Sequence, residues 1–381
     1  GDERKTRIVP MEANEIGDED MIPEEMTIIT VTRDGYIKRV PMDTYRSQRR
    51  GGRGIIGANT KEEDTVAHLF VATTHHYILF FTDRGRVYRL KAYEIPQTSR
   101  QAMGTAIINL ISIEPGDKIT ATVPLKAMDV DGYMVMATQL GEVKKTDLTE
   151  FHNLRSNGLR AFDIEDGDAL KWVAVSRGND DVVLVTAKGM SIRFHEKDLR
   201  SAGRASGGVR GIRLVGDDRV VGMTLARDDC QLLVATEHGF GKRTTLSSYR
   251  KQTRGGKGLI TMNLSEKTGR IVETAVVDDT DKIVIITDQG IMLKLRVAEI
   301  RSCGRSTQGV RLINLGPGAS VGSLATIPKA EAPPEDATSA NPAKAKNNLV
   351  DAMDDDDVTD ANLEELEEEF EEDEGAGDSQ E

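Results

Sequence analysis

The stretch Gln48-Arg49-Arg50-Gly51-Gly52-Arg53-Gly54 places three arginines and three glycines within seven residues. Each arginine carries a permanent charge and a planar fork of donors that fits a phosphate. The glycines lack a Cβ, so the backbone can turn tightly and bring its N–H groups close to a ligand. That chemistry suits the grip of a polyanion; an ordinary surface turn is the competing reading. Gly52, Gly54 and Gly57 also spell G-x-G-x-x-G. The dinucleotide fingerprint needs a helix next, and Ala58 to Asp64 has no amphipathic face, so a nucleotide site is not expected.

Other residue types offer little catalytic chemistry. His68, His75, His76, His152, His195 and His238 form no H-E-x-x-H or comparable ligand pattern, and His75-His76 reads as a hairpin turn. Cys230 and Cys303 are far apart, lack metal spacing and fit a reducing cytosol. No catalytic residue, metal or cofactor is therefore expected in this chain. There is no apolar run of 18 residues and no signal-peptide pattern, so a soluble, cytoplasmic protein is expected.

The net charge of −13 is unevenly placed. Residues 331–381 hold 20 acids against Lys344 and Lys346, a net of −18, and residues 1–26 carry a net of −6. Residues 27–330 hold 45 bases and 34 acids, a net of +11. A basic body between acidic ends suggests a nucleic-acid binder with a competing tail; a tail that only maintains solubility is the alternative. Aromatics at 4% speak against stacking of single-stranded bases.

These residues have to be positioned by short strands. From Met26, Ile28 to Val31 is followed by the turn pair Asp34-Gly35 and then Tyr36 to Val40, which reads as a β-hairpin. The phrase returns around Gly85, Gly141, Gly189, Gly239 and Gly290, at intervals of 50, 56, 48, 50 and 51. Six strand-rich copies of about this length predict an all-β repeat fold, a propeller-like closed ring of six blades, with an open β-solenoid as the alternative. The longer interval leading to the third copy, and Gly241 in place of the apolar residue after the turn in the fifth, are expected irregularities. The boundaries read as an acidic linker over 1–26, the repeat body over 27–328 and an acidic, mostly disordered tail over 329–381. Within that tail Leu363, Leu366 and Phe370 lie at helical spacing.

Two further features recur. Each copy continues to a Gly-containing basic turn and another strand, with Arg254 and Lys257 in the fifth. The opening seven residues are the most basic version of that turn, so its glycines can equally serve loop geometry. Four residues past each turn glycine stands a base: Arg39, Arg89, Lys145, Arg193, Arg243 and Lys294. The preceding position adds Lys38, Lys144 and Lys242. One reading is a circular track of positive charge for DNA. The other is internal partners with stems packed on the core. Both stay open at the level of sequence.

Gln48 to Gly54, set in six such repeats, resembles the gyrase A-subunit box. Residues Thr27 to Ile327 resemble the C-terminal domain of that subunit, a type IIA topoisomerase family of bacteria. The related topoisomerase IV subunit would be expected to lack an intact box. The resemblance implies a six-bladed β-pinwheel whose neighbouring blades exchange strands, with duplex DNA wrapped round its rim in a positive sense and the box, Gln48, Arg49, Arg50, Gly51, Gly52, Arg53 and Gly54, as anchor. It implies two partners, the rest of the A subunit and the ATP-hydrolysing B subunit, in an A2B2 enzyme that introduces negative supercoils. It places the cleaving tyrosine in the N-terminal part of the subunit, and ATP and Mg use elsewhere in the holoenzyme.

Overall fold

The computed structural model describes residues 18–41, 66–99, 102–128, 130–154, 157–226, 229–289, 291–316 and 318–327. The seven-residue box and the acidic tail lie outside the described residues, as do residues 1–17. By its contacts the chain divides into residues 1–330 and 331–381.

The hairpin signals become hairpins. β1 (Met26–Thr32) and β2 (Tyr36–Pro41) pair antiparallel, Ile29 opposite Arg39. Between them Gly35 takes φ +82° and donates its N–H to Thr32 O at 3.1 Å. The glycines at this phase in the next four copies have φ from +77° to +90°, a region that L side chains avoid. Gly85 has a second constraint, since a Cβ there would lie 2.4 Å from Phe162 O of the next repeat. His75-His76 lies in the turn between β3 (Val66–Thr73) and β4 (Tyr77–Thr82), but these strands belong to neighbouring sheets and do not pair, so the expected hairpin turn is instead a link between the first and second blades.

Each copy supplies three strands of one sheet, and the second to sixth copies each add a two-residue strand to the sheet before it. The first blade runs β3-β1-β2-β6, where β6 (Thr105–Ala106) comes from the second copy. The second runs β10-β5-β4-β7, with β5 (Arg86–Lys91), β7 (Ile119–Leu125) and β10 (Leu159–Arg160). The third holds β8 (Tyr133–Thr138), β9 (Glu142–Asp147), β11 (Leu170–Ser176) and the donated β14 (Val209–Arg210). The fourth holds β12 (Asp181–Thr186), β13 (Met190–His195), β15 (Val220–Ala226) and the donated β18 (Leu259–Ile260). The fifth holds β16 (Gln231–Thr236), β17 (Phe240–Thr245), β19 (Ile271–Val277) and the donated β22 (Val310–Arg311). The sixth, β20 (Lys282–Thr287), β21 (Met292–Arg296) and β23 (Val321–Ile327), has three strands among the described residues. This is an all-β, six-bladed propeller with strand exchange between neighbouring blades.

The apolar runs follow from blade stacking. β4 lies between two blades, so Ile78 and Phe80 join Ile29 and Val31 of the first blade while Leu79 and Phe81 join Met134 and Met136 of the third. Both faces are buried, which calls for a continuous apolar strand in place of alternation. The same arrangement recurs in later gaps, with Val182 and Leu184 on one side of β12 and Val183 and Val185 on the other.

Neither expected irregularity disturbs the blades. The extra residues of the longer interval between Gly85 and Gly141 fall in the connections 107–118 and 126–132, outside the strands. Gly241 sits in a regular β17, and a Cβ there would lie 2.4 Å from Leu312 Cδ1 and 2.5 Å from Val234 O. The missing side chain is filled by a neighbour from the next repeat.

Candidate nucleic-acid interface

The recurring bases point mainly into the gaps between blades. Arg39 Nε donates to Ile95 O at 3.1 Å and Arg89 Nη1 to His152 O at 3.3 Å. Lys145 Nζ donates to Glu196 O at 2.9 Å, Arg193 Nη1 to Leu246 O at 2.6 Å and Arg243 Nε to Ile300 O at 2.5 Å. Each acceptor lies on, or just after, a short 3-10 turn of the next copy; Ile95, His152 and Ile300 follow the turn's C-terminal end, where a cation is favoured, while Glu196 O and Leu246 O also accept from Leu199 N and Tyr249 N within their turns. The backbone joins in: Arg39 O, Lys145 O, Arg193 O and Arg243 O accept from Thr98, Ala202, Gln252 and Cys303 of the following copy. Carboxylates complete several sites, with Asp181 on Arg193, Glu196 on Lys145 and Asp279 on Arg243.

The lysines one position earlier are deeper. Lys144 is 2% exposed, and its Nζ donates to Ala161 O at 3.0 Å, Arg204 O at 2.6 Å and Ser206 O at 2.8 Å. Lys242 is fully buried and donates to Gly304 O at 2.6 Å, Arg305 O at 2.5 Å and Thr307 Oγ1 at 3.1 Å. Lys38 donates to Ala102 O at 2.8 Å. Burial pushes all three ammonium groups down, Lys144 and Lys242 to about 8. Burial likewise lowers Arg39, while the Glu25 charge opposes it.

The expected DNA-facing track is corrected for Lys38, Lys144, Lys145, Arg193, Lys242 and Arg243, all buried. Their donors are directed to interior carbonyls and carboxylates, and a duplex has no access to them. The internal-partner reading holds there. Arg39 and Arg89 are half-buried and do the same work. Arg254, Lys257 and Lys294 are exposed and stay on the candidate surface.

A different set of bases faces solvent. The donated strand is the outermost of its blade, and its second residue is Arg160, Arg210 or Arg311 in the second, third and fifth blades, each exposed. The turn before it carries another arginine that reaches back to the outer strand of the preceding blade. Arg204 Nη1 donates to Arg160 O at 3.4 Å, Arg254 Nη1 to Arg210 O at 3.2 Å and Arg305 Nη1 to Ile260 O at 3.1 Å. Backbone bonds follow the same course, from Asp163 N to Ser206 O and from Arg213 N to Gly256 O. A further phase, Arg200, Arg250 and Arg301, is exposed as well. The outer edge of blades two to five is thus a hydrogen-bonded belt carrying guanidinium groups, suited to phosphates and without any arrangement for reading bases.

The DNA gyrase C-terminal domain, beta-propeller, matches the chain in six successive segments, residues 27–73, 76–126, 132–177, 180–227, 231–278 and 281–327. The chain belongs to the DNA gyrase C-terminal domain family. It is similar to the DNA gyrase A subunit of Mycolicibacterium smegmatis, 44% identical over 327 residues that cover 85% of this chain and 39% of the relative. It is also similar to that of Staphylococcus epidermidis, 43% identical over 330 residues covering 86% and 37%. The chain spans about two fifths of the length of these relatives. The C-terminal domain of DNA topoisomerase IV is a structural neighbour, with TM-score 0.66, 27% identity and coverage of 81% of this chain and 94% of that one. A DNA gyrase A C-terminal domain shares the fold at TM-score 0.69 and 23% identity, covering 79% and 99%.

Within this gyrase-family propeller, the outer-strand arginines are what the sequence reading missed. Their signal was present: Gly158-Leu159-Arg160, Gly208-Val209-Arg210 and Gly309-Val310-Arg311 share one spacing. The hairpin bases are more conspicuous because they recur in all copies, and their regularity comes from the inter-blade ties. The glycine of that spacing is structural too. At Gly104, Gly258 and Gly309 a Cβ would lie 2.3–2.5 Å from a carbonyl oxygen of the preceding blade. Gly54 shares this sequence phase.

Proposed function

We propose that the propeller binds duplex DNA through its phosphates along the outer edge of the blades and holds it curved. In a gyrase A2B2 enzyme that bend presents DNA for ATP-dependent strand passage and the introduction of negative supercoils. The remainder of the A subunit and the B subunit are the partners, ATP and Mg act there, and the site of action is the bacterial cytoplasm. This chain contributes binding and no catalytic group. The observation that supports the reading is the recurrence of exposed arginines on the outermost strands of the second, third and fifth blades.

Bending 20–30 bp costs several kcal/mol, so contacts must be spread along an arc. A repeat fold provides such spreading without base readout, as histones do. At histone-like curvature of about 45° per 10 bp, half a turn takes roughly 40 bp. The box arginines, Arg49, Arg50 and Arg53, anchor one end of the arc, and the acidic tail lowers DNA affinity by charge competition.

The test is a topology assay with this chain, relaxed plasmid and a nicking–closing enzyme, run beside binding across a salt series. The expected result is a shift in linking number together with a loss of about 10³–10⁵ in affinity between 50 and 200 mM salt, for 6–10 phosphate contacts. Salt-insensitive binding would point to a protein-binding scaffold.

A further inference from the structure

The buried lysines divide the outer turns into two kinds. In the first, third and fifth blades the residue three past the turn glycine is Lys38, Lys144 or Lys242, and its ammonium meets the turn of the next copy. In the second and fourth blades that position holds Tyr88 and Ile192, both buried, and the turn seats on an apolar side chain. Gly158 stands against the Tyr88 ring, and Gly256 lies 3.6 Å from Ile192 Cδ1 as measured to an added Cβ.

The carbonyls the ammonium groups take are those of the edge itself. Lys144 gathers Arg204 O and Ser206 O, and the same turn reaches the preceding blade through the Arg204 side chain and leads directly into exposed Arg210. Lys242 gathers Gly304 O and Arg305 O, and that turn reaches Ile260 O through Arg305 and leads into exposed Arg311. Drawing the carbonyl ends of these peptides inward keeps their negative dipole ends from a bound phosphate and fixes the arginines that follow.

We propose that Lys144 and Lys242 are positioning residues of the DNA-binding edge, setting the turns 203–206 and 304–307 so that Arg204 with Arg210, and Arg305 with Arg311, present a curved phosphate track. The inference rests on the DNA-binding reading above. A neutral amine keeps two N–H donors where the ammonium has three, so deprotonation releases one of the three carbonyls around Lys144. Burial favours that loss near pH 8; Asp163 and Glu150 oppose it and Arg204 assists it. Cys303 and Arg305 face Lys242. Because thiols also titrate in this range, the pH profile is read on Lys144.

The experiment uses the full chain, its Lys144→Met and Lys242→Met variants, and linear duplex and relaxed plasmid as probes. Fold is checked by circular dichroism and urea midpoint. For the parent, wrapping should fall between pH 7 and 9.5 while binding to short linear duplex changes little. Both Met variants should wrap about tenfold less at pH 7, as expected for the loss of a charge-assisted hydrogen bond, and Lys144→Met should show a weaker pH dependence than the parent, with only Lys242 left to titrate. Folded variants that wrap like the parent, or a Lys144→Met variant with the parent's pH profile, overturn the proposal. If the Met variants do not fold, the parent's profile decides: constant wrapping from pH 7 to 9.5 also overturns it. A parent that binds no DNA at pH 7 removes the underlying reading instead, and a parent that wraps while the variants match it removes this inference alone.

Discussion

Arg193 and Asp181 face each other across β12 and β13 with Nε and Oδ2 2.9 Å apart, and both side chains are almost out of solvent. The same guanidinium crosses to Leu246 O in the next repeat. Removing one partner of a buried pair costs up to about 3–5 kcal/mol, and here Asp181 keeps the half-exposed Lys251 Nζ at 3.1 Å, so the loss lies at or below the lower end of that range. Arg193→Ala should lower the urea midpoint by the corresponding amount. Its remaining folded fraction should bind DNA with the parent's salt slope, because this charge never meets a phosphate. A reduced slope at full stability would show the assignment to be wrong.

Arg210 and Arg311 should behave in the opposite way. Both are exposed at the outermost strand, and surface substitutions away from packed features usually change stability by no more than about 0.5 kcal/mol. Arg210→Ala and Arg311→Ala should each reduce the slope of log K against log salt by about 1 and weaken binding to all sequences alike. Affinity titrations on two unrelated duplexes across a salt series check both points.

The box is tested by separating charge from backbone. Replacing Arg49, Arg50 and Arg53 with alanine removes three cations and retains Gly51, Gly52 and Gly54. Wrapping measured by linking number should drop sharply while affinity for a short linear duplex falls only modestly, since the bases of later blades remain. A variant that wraps like its parent removes the anchor role; one that unfolds shows the stretch to be structural.

Truncation after Pro328 removes residues 329–381, with 20 acids against Lys329, Lys344 and Lys346, a net charge of −17. A covalently attached polyanion acts at high effective concentration, and screening weakens it as salt rises. The truncated chain should bind DNA more tightly than the full chain at low salt, with the two converging at high salt. Equal affinities at low salt would leave the tail with a solubility role only.

Glu273 on β19 offers a stability test with a definite sign. Burial raises its carboxyl to about 7 from an ordinary 4.5, against an opposing hydrogen bond from Thr274 N. The folded state therefore binds more protons than the unfolded chain between pH 4.5 and 7, and this group's contribution to stability falls as pH rises through that window. Glu273→Gln should be more stable than the parent at pH 8, and the gap should narrow toward pH 4.5. Urea midpoints at the two pH values measure it.

Much of the architecture was determined locally. The turn glycines at near-constant intervals state their own backbone requirement, a positive φ that side chains avoid, so Gly35 and its counterparts marked the hairpins and the number of blades. The apolar runs around Phe80 and Val183 followed from burial on both faces. The direction of the bases was decided only by tertiary structure. Alternation places Arg193 or Lys242 on one face of a strand, but whether that face meets water or a neighbouring repeat depends on blade stacking, which brings the carbonyls of Leu246 and Arg305 to those charges. Strand exchange was beyond local pattern for the same reason: Val209-Arg210 is too short to declare a partner, and its place at the outer edge of the third blade exists only once the fourth repeat folds back against it.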